Sequence, residues 1–132
     1  MILVDKNTRY CIQGITGKQG TRACETMLAA GSNVVAGVTP GKGGTKAVEN
    51  KVDVYNSVEE ARKNTKANVS IIFVPPPFAA EAIIEASEAG VEVVVCISEG
   101  IPVRDMVIVK KIVNRNKTCL IGPNCTGVIT VD

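Results

Sequence analysis

Three glycines, Gly14, Gly17 and Gly20, recur at every third position in Gly14-Ile-Thr-Gly17-Lys-Gln-Gly20. That spacing lets a chain leave a strand, turn tightly and enter a helix. The first amides of the helix then have no partner and point outward, with the positive end of the helix dipole behind them. Such a turn binds an anion, and a phosphate suits it. The plain alternative is a glycine-rich turn that only reverses the chain.

An NAD site would place an Asp or Glu at the end of the second strand, for the ribose hydroxyls. Here that strand runs into Thr39-Pro40-Gly41-Lys42, and a lysine stands where the acid is expected. A cation on a glycine-flanked loop fits a ligand with a further phosphate, such as NADP or the 3′-phosphorylated ADP of coenzyme A. Ser98 and Glu99 follow the most hydrophobic segment, and Gly122-Pro-Asn-Cys-Thr-Gly127 is a second glycine-rich loop able to form an anion nest. Cys125 within it could act as a nucleophile, but the chain contains no histidine to activate it. The same absence excludes His general bases, Ser-His and Cys-His pairs, His-ligated zinc and phosphohistidine within these residues.

Composition narrows the reading further. Lys plus Arg is 15 and Asp plus Glu is 13, a net charge of +2, so a dedicated polyanion binder is not expected. With no Trp, two Tyr and two Phe, a base-stacking platform for single strands is not expected either. None of the five cysteines forms a C-x-x-C pair, which argues against a structural zinc site or a reactive dithiol. The N-terminus lacks a signal-peptide pattern, and no apolar run is long enough to span a membrane. The expected setting is a reducing, cytoplasmic one with free thiols.

The 132 residues suit one domain. Strands are predicted at 9–13, 33–38, 52–55, 69–74, 91–97 and 118–121, and helices at 18–30, 57–64, 78–89 and 102–116. Ser57-Val-Glu-Glu60 has the capping-box spacing. Residues 39–46 are expected to be loop. This β-α-β order predicts a Rossmann-like, mainly parallel sheet with helices on both faces, all in a single α/β domain. The small and polar residues then gather at the carboxyl ends of the strands, where such sheets bind ligands.

Six segments together resemble the N-terminal, coenzyme-A-binding domain of the succinyl-CoA synthetase (succinate–CoA ligase) α subunit. They are Val4-Asp-Lys-Asn7, 13–20, 37–45, Val74-Pro-Pro-Pro-Phe78, Ile97-Ser-Glu-Gly-Ile-Pro102 and 122–129. The resemblance implies that residues 1–132 bind coenzyme A through Thr16, Gly17, Lys18 and Gln19, through Lys42, beside Val74 and Pro75, and through Ile97, Ser98 and Glu99. It implies that Asn124 and Cys125 begin a helix facing a phosphohistidine carried by a second α domain absent from this chain. It also implies a β subunit of ATP-grasp type that holds the nucleotide and magnesium, and a fragment inactive on its own. Lys18 stands where many members have Ser, and Thr126 where many have Pro. A related malate–CoA or other acyl-CoA ligase, and a stand-alone CoA- or NADP-binding module, are the alternatives.

Overall fold

Short aliphatic runs form the middle of the molecule. In Val93–Cys96 all four residues are buried, so this strand is covered on both sides. The computed structural model describes residues 4–124. In chain order the elements are β1 (Tyr10–Gln13), α1 (Lys18–Ala29), β2 (Val34–Val38), β3 (Lys46–Ala47), β4 (Val52–Tyr55), α2 (Val58–Thr65), β5 (Val69–Ile72), α3 (Pro76–Glu88), β6 (Val93–Cys96), α4 (Val103–Arg115) and β7 (Cys119–Ile121).

Among the described residues the strands form one sheet in the order β3-β4-β2-β1-β5-β6-β7. Every pairing is parallel except β3 with β4. Period-two alternation sends neighbouring residues to opposite faces. Cys11, Val94 and Cys96 pack with α2, α3 and α4, whereas Ile12 packs with Cys24 of α1 and with Val34. A third cluster, Val4, Val69, Val93 and Val95, lies on the α1 side beyond α1 itself. The fold is therefore the expected α/β domain, with three helices on one face and one on the other. No helix among the described residues is long and apolar enough to cross a membrane.

Local chemistry explains the boundaries. Ser57 accepts from the Glu60 amide at 3.2 Å, the forward half of the expected capping box. Helix α1 ends in a Schellman motif: Gly31 N–H bonds Leu28 O and Ser32 N–H bonds Met27 O. Helix α3 ends in the same way around Gly90. Two elements differ from expectation. Lys46–Ala47 is a short antiparallel strand rather than loop. Helix α3 begins at Pro76 rather than Phe78, because a first helical turn has no use for the amide that proline lacks. Strand β5 accordingly stops at Ile72.

Candidate functional site

The chain leaves β1 at Gly14, enters α1 at Lys18, and places Gly17 at the N-cap. The three glycines meet different demands. Gly14 has φ +85°, and a Cβ there would lie 2.7 Å from Phe73 O. A Cβ on Gly20 would lie 2.2 Å from Gly14 O, so only glycine lets the helix sit this close to the turn. Gly17 has an ordinary φ of −75°, and its Cβ would meet only Gly14 O at 3.4 Å. The fold does not require glycine at position 17. A ligand closing on the α1 N-terminus would favour it there.

A second loop is held against this turn. Thr16 Oγ donates to Thr39 Oγ at 3.1 Å. Beyond Thr39 the loop curls around Asn56, whose Oδ1 accepts from both Gly41 N–H and Gly43 N–H at 2.9 Å. Lys42 sits between those two amides on an exposed tip. Its backbone N–H bonds Thr39 O at 3.0 Å, and its carbonyl accepts from Thr45 Oγ at 2.6 Å. The main chain that carries this lysine is thus fixed while its side chain stays free to reach a ligand.

Between the ends of β1, β2 and β5 and the first turns of α3 lies a cleft of about 390 Å³. It sits where the strand order switches direction, between β1 and β5, the position at which such sheets bind ligands. Val38, Pro40, Val74, Pro75 and Phe78 give it apolar walls, and Thr16 and Gly17 open onto it. Phe78 is 60 % exposed, a large aromatic surface left uncovered beside the cleft.

Of the expected site residues, Thr16, Gly17, Val74 and Pro75 line this cleft. Lys18 and Gln19 occupy the first turn of α1. Gln19 and Ile97 line a second hollow of about 580 Å³ on the α1 side of the sheet, and Phe73 borders both. Ser98 Oγ donates to Val74 O at 2.5 Å, and Ser98 O accepts from Asn124 N–H at 2.9 Å. Three strand-end loops are stitched together in this way. Glu99 is exposed next to them. Asn124 is the last described residue; Cys125 and the helix expected to start there lie outside the described residues.

Several functional candidates escaped sequence reasoning. Asn56 pins the Lys42 loop, and no local motif marks it. Glu85, on α3, lines the cleft and accepts from Val58 N–H at 2.6 Å. Gln13 is buried under the cleft, bonded to Ala82 O and Ser70 Oγ. Among the described residues no cluster of His, Cys, Asp and Glu could hold a metal ion. Cys11, Cys24, Cys96 and Cys119 are in no disulfide among the described residues. Burial pushes the Cys11 thiol up to about 12, so at neutral pH it stays protonated and is no nucleophile.

Known proteins resemble this chain in both sequence and fold. Residues 5–100 match the family model described as "CoA binding domain". The chain is 55% identical over 131 residues to the succinate–CoA ligase [ADP-forming] α subunit of Staphylococcus epidermidis, covering 99% of this chain and 43% of that subunit. It is 56% identical over 131 residues to the corresponding subunit of Aquifex aeolicus, covering 98% and 42%. It therefore spans less than half the length of these relatives. The fold is also that of ATP citrate lyase from Methanothrix soehngenii, solved with citrate and coenzyme A: TM-score 0.75 at 23% identity, over 93% of this chain and 22% of that one.

Proposed function

The chain belongs to the CoA binding domain family, and from that premise we propose that it is the coenzyme-A-binding part of a succinate–CoA ligase α subunit. One observation carries the placement of the ligand. The Thr16–Thr39 hydrogen bond holds an anion-binding helix start against the loop that presents Lys42. A diphosphate meets the Lys18 and Gln19 amides at the α1 N-terminus, while Lys42 reaches a further phosphate on the ribose. The nucleotide's base lies in the apolar cleft between Val38, Pro40, Val74 and Pro75. Ile97, Ser98 and Glu99 border the path of the pantetheine arm at the same sheet edge.

The chain's part in the reaction is binding and orientation. Succinate, coenzyme A and a nucleoside triphosphate would give succinyl-CoA, a nucleoside diphosphate and phosphate. The phosphate carrier would be a histidine, and none exists among these 132 residues. Nucleotide and magnesium would sit on an ATP-grasp β subunit. Asn124 and Cys125 would face the phosphorylated histidine, and the whole would work in the cytoplasm.

Titration with coenzyme A and dephospho-CoA tests the assignment of Lys42. Lys42→Ala should weaken coenzyme A about tenfold, some 1.4 kcal/mol, and leave dephospho-CoA unchanged. Equal weakening of both would remove Lys42 from the 3′-phosphate.

A further inference from the structure

We propose that Glu85 reads the base of the bound nucleotide, accepting a hydrogen bond from the exocyclic amine of a 6-aminopurine. This rests on the coenzyme A reading above and assigns its base selectivity to one side chain.

The cleft offers a flat ring system apolar walls and very few polar groups. Those groups are Gln13, Thr16, Thr39, Glu81 and Glu85. Thr16 and Thr39 are bonded to each other at the phosphate end. Gln13 is committed: its Nε2 donates to Ala82 O at 3.1 Å and its Oε1 accepts from Ser70 Oγ at 2.6 Å. Glu81 is exposed and makes no hydrogen bond or ion pair among the described residues. A solvated carboxylate of that kind discriminates little.

Glu85 differs from all of these. It is half-buried, and its Oε2 is pinned by the first amide of α2, Val58 N–H, at 2.6 Å. Its Oε1 has no partner among the described residues, and the side chain borders the cleft. An ionised carboxylate can only accept hydrogen bonds. The cleft wall therefore carries one fixed acceptor, oriented by a neighbouring helix. A 6-aminopurine presents a donor at that edge of the ring, and a 6-oxopurine presents an acceptor. The fixed oxygen pairs with the first and repels the second, which is selectivity by an unfavourable contact as well as a favourable one.

The same pinning dictates what Glu85→Gln must do. Val58 N–H can only donate, so it holds the glutamine carbonyl, and the amide NH₂ turns to the cleft. The polarity presented to the base is reversed without a change in shape. Wild-type protein should bind coenzyme A at least tenfold more tightly than its 6-oxo, hypoxanthine analogue. E85Q should abolish or invert that ratio, and Glu81→Gln should leave it as in wild type. A folded E85Q protein with the wild-type ratio would overturn the proposal. Binding of 1,N6-etheno-CoA to wild type gives a second readout that needs no variant. The etheno bridge removes the amine hydrogens, so at least tenfold weakening is expected, and undiminished affinity would overturn the proposal. If coenzyme A binds but the three bases are not distinguished, only the role of Glu85 falls. If none of these ligands binds, the coenzyme A reading falls with it.

Discussion

At Gly17 and Gly20 one residue type answers two demands. Gly20 serves the fold, since a Cβ there would lie 2.2 Å from a backbone oxygen that cannot move aside. Gly17 has an ordinary backbone and room for a methyl group. Gly20→Ala should therefore cost about 3 kcal/mol or more, the scale of severe overpacking. Gly17→Ala should cost about 1 kcal/mol or less, the usual loss at an N-cap, yet weaken coenzyme A at least tenfold. Thermal melts paired with calorimetric titration separate the two. Equal damage to stability from both substitutions would mean that Gly17 is structural. The glycine turn was legible because its spacing is local. Asn56 and Glu85 were not, because each acts on a segment far along the chain. Asn56 meets Gly41 fifteen residues away, and Glu85 meets Val58 twenty-seven residues away. No residue-type pattern announces such a contact.

Among the elements, helix α4 ends in the same motif as α1 and α3 but with a lysine where they have glycine. Lys117 N–H bonds Asn114 O, Thr118 N–H bonds Val113 O, and Lys117 itself has φ 58°. A side chain in this left-handed region costs about 1–2 kcal/mol, partly offset by the entropy glycine brings to the unfolded chain. Lys117→Gly should stabilise the protein by about 0.5–1 kcal/mol, a rise of roughly 2–4 °C in melting temperature. An unchanged or lower melting temperature would contradict this. Most elements were readable in advance: β4 falls on its expected residues, and the aliphatic runs of β5 and β6 mark buried parallel strands, although both strands are shorter than expected. Strand β3 was not readable. It is two residues long, and its pairing with β4 is supported by Gly44 N–H to Val54 O and Val54 N–H to Thr45 O, contacts that exist only after the loop closes. The start of α3 was misplaced because a run of three prolines reads as a break, although its second and third members suit a first helical turn.

Across the whole molecule, five strand ends are joined along one edge. Gly14 N–H bonds Val38 O, Phe73 N–H bonds Gln13 O, Ser98 Oγ bonds Val74 O, and Asn124 N–H bonds Ser98 O. The loops after β2, β1, β5, β6 and β7 thus form one connected rim over a rigid sheet, and a ligand lying along that edge touches several of them at once. An extended nucleotide with a diphosphate, a phosphorylated ribose and a long arm suits such a rim. The basic Lys42 loop alone would suit NADP as well, so the choice between the two ligands is the sharpest test of the reading. Calorimetric titration of the protein with coenzyme A and, separately, with NADP makes that choice. Saturable one-to-one binding of coenzyme A, with NADP at least tenfold weaker, is the predicted result; saturation by NADP with no heat from coenzyme A would contradict it.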